Sequence, residues 1–147
     1  MNLDLKEITF VIVSYKSKKV IFNCIDSLPK LSKIIVIENS YDKELKRELE
    51  AKYDNIEVTL NENIGMGASN NIGIKKSNTN YVFILNPDVI FKENTFLGIK
   101  EALKKIDDFS IISPLNEDVN FPNYEIKKKY QNLNDDILEV DTVDGFS

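Results

Sequence analysis

Four polar clusters stand out, each directly after an apolar run: Ser14-Tyr15, Glu38-Asn39-Ser40, Asn61 and Asn63 with Gly65 and Gly67, and Asn86-Pro87-Asp88. Together they offer an aromatic ring, a carboxylate, several amides, a glycine-opened helix start and an aspartate on a turn. That set suits a nucleoside diphosphate accompanied by a divalent cation. A tyrosine can stack on a base, and Glu38 can accept hydrogen bonds from base N–H or ribose hydroxyl groups. A helix N-terminus leaves backbone N–H groups free for an anion. Mg2+ or Mn2+ commonly takes only one or two protein carboxylates and completes its shell with phosphate oxygens and water, so Asp88 alone can suffice. Pro87 disfavours the helical region for Asn86, which extends the chain and helps to aim Asp88.

What the chain lacks narrows the chemistry. With no His, Ser-His-Asp and Cys-His catalysis and His-based metal sites are excluded. Cys24 is the only cysteine, so no internal disulfide forms, and a reducing, cytoplasmic setting is expected. Arg47 is the only arginine, which leaves Lys, backbone N–H groups or a metal to bind anions. A formal charge of −5 argues against a duplex nucleic-acid binder. Apolar runs such as Phe10–Val13, four residues, fall far short of the roughly 20 that span a bilayer.

The elements that must position these clusters follow from hydrophobic patterning. Ile8–Val13, Lys33–Ile37, Ile56–Leu60, Tyr81–Leu85 and Phe109–Ser113 read as strands, mostly apolar on both sides. Between them come four helices. The first carries Val20, Ile21, Cys24, Ile25 and Leu28 and stops at Pro29; the second presents Leu45, Leu49 and Tyr53 behind cap candidates Asn39, Ser40 and Asp42. The third runs from Gly65 to about Lys76 with Ala68, Ile72 and Lys75 on related faces, and the fourth, capped by Thr95, buries Phe96, Ile99, Leu103 and Ile106. Strict alternation predicts an α/β fold, a mostly parallel sheet with helices on both faces. Right-handed crossovers bring the strand ends, and so the four clusters, to one rim. From 114 to 136 the chain is polar without a sustained period, and Leu138, Val140 and Val143 alternate weakly. The chain is expected to be a single domain over 1–147, a ligand-binding core over 1–113 followed by the beginning of a second region over 114–147, incomplete at its C-terminus.

Each motif alone also has a plainer reading. Asn-Pro-Asp is a favourable turn. The Gly65/Gly67 pattern lacks the third small residue of a dinucleotide fingerprint. Lys127–Lys129 and Lys16, Lys18 and Lys19 are ordinary solvated charges. Only convergence on one rim lifts the functional reading above these.

In combination, Val11-Ile-Val-Ser-Tyr15, Ile35-Val-Ile-Glu-Asn-Ser40, the stretch Asn63–Gly73 and Tyr81-Val-Phe-Ile-Leu-Asn-Pro-Asp88 resemble family 2 glycosyltransferases of the Rossmann-like GT-A fold, with the flavour of the rhamnosyltransferase-like branch. The resemblance implies an inverting enzyme of glycan or polysaccharide assembly. Its donor would be a UDP- or dTDP-linked sugar, its acceptor a glycan or lipid-linked molecule, and its cofactor Mg2+ or Mn2+. It places Ser14, Tyr15 and Glu38 at the nucleoside, and Asn63, Gly65 and Asn71 in the loop-helix element beside the donor. Asn86 would contact the donor and Asp88 would bind the metal. Glu38 stands where Asp is usual, and Asn86 replaces the first acid of the DxD-type element. Val143-Asp-Gly145 resembles the start of the acceptor-side strand. The general base is expected beyond Ser147, so none is assigned, and a chain of this extent is expected to bind donor but to transfer poorly. The expected location is cytoplasmic, without a membrane span, or at the inner face of the membrane. Two other functions use the same rim: a nucleotidyltransferase, with Lys16, Lys18 and Lys19 near the triphosphate, and a non-catalytic binding or assembly module.

Overall fold

The computed structural model describes residues 4–106, 109–114, 124–125, 132–134, 137–138, 140 and 142–143. The chain divides into two compact units, Asn2–Leu97 and Gly98–Ser147. The first holds β1 (Ile8–Ser14), α1 (Lys18–Ser27), β2 (Lys33–Glu38), α2 (Lys43–Lys52), β3 (Ile56–Leu60), α3 (Met66–Lys76) and β4 (Tyr81–Leu85). The four strands form one parallel sheet in the order β3-β2-β1-β4.

β1 is buried along all seven residues, as its unbroken apolar run requires of a central strand. Each fully buried Val or Ile contributes about 1.5–3 kcal/mol of transfer free energy, so β1 and β2 form the stable centre. Val11, Val13, Ile35 and Ile37 point to one face, where Ile72 of α3 packs on them. α3 comes so close to β1 that a Cβ at Gly73 would collide with Val11 Cγ1. The chain steps from β1 to β2 to β3 in one direction and then crosses back to β4. Right-handed connections therefore place α1 and α2 on the face opposite α3. On that second face Phe10, Phe83 and Phe91 make mutual ring contacts 5.4–5.8 Å between centroids.

Local signals explain the helix boundaries. Asp42 is the N-cap of α2, its carboxylate accepting from Glu44 N–H and Leu45 N–H at 3.0 and 2.9 Å. Leu45 and Leu49, one turn apart, bury the single apolar stripe of an otherwise charged helix. Tyr53 is not part of that stripe; it is the C-cap, with its hydroxyl on Asp26. In α3 the inward positions are Ser69 and Gly73 with Ile72, while Ala68 and Lys75 are exposed. Small residues there permit the close approach to β1 that a larger apolar stripe would block.

α4 (Glu93–Lys105) begins two residues before Thr95. Thr95 is therefore not the cap; its Oγ1 accepts from Lys92 N–H at 3.2 Å, a back-bond of the capping-box kind. Leu103 is buried and Phe96, Ile99 and Ile106 are partly buried. The expected strand at Phe109–Ser113 does not form: the segment is irregular, and Ile111 is 73% exposed. Apolar residues give a strand only where a ladder partner exists, and no described strand pairs with it. β3 and β4 are less covered than their apolar sequences suggest, with Ile84 exposed, because they are the edges of the four-stranded sheet. In the second unit, β5 (Tyr124–Glu125) pairs antiparallel with β8 (Thr142–Val143), and β6 (Asn132–Asn134) with β7 (Ile137–Leu138). Asp144 and Gly145 lie outside the described residues.

Candidate functional site

Register fixes where the strand tips sit. Ser14 is opposite Glu38, Glu38 opposite Leu60, and Leu85 opposite Ile12. Adjacent strands are about 4.8 Å apart, so the four outlets span about 15 Å along one rim. The strand order reverses at β1, whose neighbours β2 and β4 are reached in opposite directions. In open α/β sheets ligands bind at the C-terminal ends of the strands where the order reverses, here the ends of β1 and β4. Tyr15 leaves β1 at this point, and Asn86-Pro87-Asp88 leaves β4.

The outlets are tied to one another by short polar contacts. Tyr15 is 47% exposed, and Lys16 Nζ lies 5.2 Å from its ring centroid. Ser17 accepts from Tyr15 N–H at 3.2 Å and donates to its carbonyl at 3.1 Å, so this hydroxyl holds the loop and caps no N–H of α1. Lys16 N–H donates to Ser40 Oγ at 3.3 Å, joining the β1 and β2 loops. Lys16 and Tyr41 both adopt left-handed backbone, with φ of 54° and 57°. Each such residue costs about 1–2 kcal/mol, which the surrounding bonds must offset.

Glu38 does not face solvent. It is fully buried, and its carboxylate accepts from Ser40 N–H, Ser40 O–H and Asp42 N–H. These donors occupy its acceptor positions, so in this conformation it organises the loop that carries Tyr41. The next layer is a buried amide network. Asn39 donates to Ser69 Oγ at 2.8 Å, Ser69 returns a bond to Asn39 Oδ1 at 3.0 Å, and Asn61 donates to the same oxygen at 3.1 Å. It locks the outlets of β2 and β3 to the first turn of α3. Sequence reading placed Asn39 and Asn61 on the rim but missed Ser69, whose burial comes only from the closeness of α3.

Gly65 is the N-cap of α3 with φ 88°, a conformation that favours glycine, and its N–H donates to Asn63 Oδ1 at 3.2 Å. Gly67 has open space where a Cβ would stand. Asn71 is exposed, two residues from both buried Ser69 and Gly73 and so on the opposite side of α3 from them. Ser14 is fully buried, and its Oγ has no hydrogen-bond partner among the described residues.

Asp88 is exposed, and no hydrogen bond or ion pair to its carboxylate occurs among the described residues. It is close enough to Cys24 to add to the burial that pushes this thiol up to about 11, so Cys24 stays protonated and able to donate. No group of three or more potential metal ligands exists among the described residues. One free carboxylate fits a hard cation that takes its other ligands from phosphate and water, and does not fit an all-protein cage. Lys18 is engaged by Glu48 at 2.7 Å and Glu44 at 3.5 Å, which leaves it poorly placed for the triphosphate role. A cavity of about 380 Å³ opens at the other end of the sheet, near Ile25, Pro29, Ile34 and Tyr53. Its Asp26 is paired with Lys52 and Tyr53, and none of the rim residues lines it.

The model of glycosyl transferase family 2 matches residues 9–144. The chain belongs to glycosyl transferase family 2. No curated protein matches significantly. Among solved structures, this family 2 chain is similar to S. aureus TarS 1-349, with a TM-score of 0.57 and 16% identity over 76% of this chain and 40% of that one. The same protein in complex with UDP gives the same values. Against S. aureus TarS the TM-score is 0.56 at 15% identity, covering 76% of this chain and 24% of that one. At such identities the likeness establishes the fold, a Rossmann-like GT-A α/β arrangement. The chain spans two-fifths or less of these neighbours. No helix among the described residues is long and apolar enough to cross a membrane.

Proposed function

We propose that this chain binds a nucleotide-diphosphate sugar together with Mg2+ or Mn2+ and serves the inverting transfer of that sugar to a glycan or lipid-linked acceptor. The observation that carries the reading is the position of Asp88: a free, exposed carboxylate at the outlet of β4, the strand next to the one that ends in Tyr15, where the strand order reverses. Tyr15 stacks on the base. The β2 loop, held by Glu38 and by Ser40, forms the nucleoside side of the site. Asn86 meets the donor, and the loop Asn63–Gly65 presents the N-terminus of α3 to negative charge. A cation held by Asp88 would neutralise the charge that develops on the departing diphosphate. The acceptor hydroxyl attacks the anomeric carbon from the opposite face, and its proton goes to a carboxylate base. Membership of family 2 and the fold shared with a protein solved with UDP support a sugar-nucleotide ligand.

Calorimetric titration with UDP and dTDP, with and without Mn2+, tests the reading. Binding of one nucleotide that strengthens with Mn2+ is expected. Asp88→Ala should remove the Mn2+ effect while unfolding stability stays within about 0.5 kcal/mol, as for an exposed side chain. A folded protein that binds neither nucleotide would overturn the proposal.

A further inference from the structure

α1 grips the segment that carries Asp88 at both of its ends. At one end the Cys24 S–H, fully buried, donates to the Asn86 carbonyl at 3.6 Å. At the other, Phe91 N–H donates to Ser27 Oγ at 2.9 Å. Ser27 spends its own proton on the Cys24 carbonyl at 2.6 Å, which turns its lone pairs toward Phe91. Phe91 is buried and held edge-on by Phe10 and Phe83. Between these anchors Val89 N–H bonds to Asn86 O at 3.3 Å, and the tip, Asp88 and Ile90, is exposed. The segment is therefore rigid at its roots and open at its point. Cys24 has no accessible surface with which to touch a ligand.

We propose that Ser27, assisted by Cys24, is a positioning residue for Asp88: it fixes the roots of the 86–91 segment so that the carboxylate is aimed before the cation arrives. This inference rests on the metal-assisted donor binding proposed above. Without the Ser27 hydroxyl, the part-buried Phe91 N–H loses its acceptor and the segment gains alternative arrangements. Ordering it again on binding would then weaken the cation but not the base or ribose contacts, which come from other loops.

The experiment measures UDP affinity of the full chain as a function of Mn2+, and separately without metal, for wild type, Ser27→Ala, Ser27→Thr, Cys24→Ala and Cys24→Ser. Ser27→Ala is expected to raise the Mn2+ concentration of half-maximal effect roughly tenfold, the lower end for a group that orients a metal ligand. Metal-free UDP affinity should not change, and Ser27→Thr should restore the Mn2+ response. The Cys24 pair, alanine against serine, should show the same split if Ser27→Ala proves too unstable to titrate. An unchanged Mn2+ requirement in Ser27→Ala and Cys24→Ala would overturn the positioning role and leave donor binding intact. Equal losses with and without metal, not rescued by Thr or Ser, would assign these residues to stability alone. A wild type without any Mn2+ response would instead defeat the metal-assisted reading, and this inference with it.

Discussion

Glu38 ends β2 as a carboxylate with no accessible surface and no cationic partner among the described residues, and it is tolerated there because three donors of the following loop close on it. Two of those donors are the N–H groups of Ser40 and Asp42, which flank Tyr41 and hold it left-handed with its ring 54% exposed. Glycine adopts this conformation freely, and a β-branched residue adopts it worst. Tyr41→Gly should therefore match or exceed wild-type stability, gaining about 1 kcal/mol of relieved strain less the entropy glycine adds to the unfolded chain. Tyr41→Val should lose stability. Urea midpoints of the two variants measure the difference, and the reverse order would show that φ at this position carries no strain.

At the scale of elements, the contact between α3 and β1 sets the depth at which the Asn39–Ser69–Asn61 network lies. Gly73 has no room for a methyl group against Val11. Gly73→Ala is expected to cost about 1–3 kcal/mol of unfolding free energy as overpacking. Combined with Val11→Ala it should cost less than the sum of the two single changes, because the second vacates the space the first fills. Additive costs in a chemical-denaturation cycle would mean that α3 relieves the clash by moving away.

For the whole molecule, acid stability follows from its paired carboxylates. A 2.6 Å bond from Lys76 Nζ, across from the end of α3 to β3, holds the Glu57 carboxyl below the usual 4.5. Tyr53 O–H, and then Lys52, hold Asp26 below its usual 3.8. A depressed value in the folded state means that the contribution is complete above the unfolded value and is lost as pH falls through the folded one. The unfolding temperature should thus change little on these groups' account between pH 7 and about 5, and drop below about 4. Glu57→Gln should flatten part of that drop. Both pairs are half exposed, so the effect should shrink in high salt.

Hydrophobic order along the chain determined the alternation of four parallel strands and their helices, and hence that Tyr15, Glu38, Asn63 and Asp88 follow strands that open on one rim. Such patterns are local and repeat with the period of the element, so they can be read without knowing what packs where. Which of the rim groups stay exposed and which are buried was decided only by tertiary structure. Ser14 and Glu38 were drawn into the interior, Asn71 was turned outward by the inward packing of Ser69 and Gly73, and Cys24 and Ser27 became anchors for loop residues 62 and 64 positions away. The apolar Phe109–Ser113 likewise stayed irregular, with no pairing strand among the described residues. Burial, hydrogen-bond partners and ladder partners are properties of pairs distant in sequence, and one residue's type does not contain them.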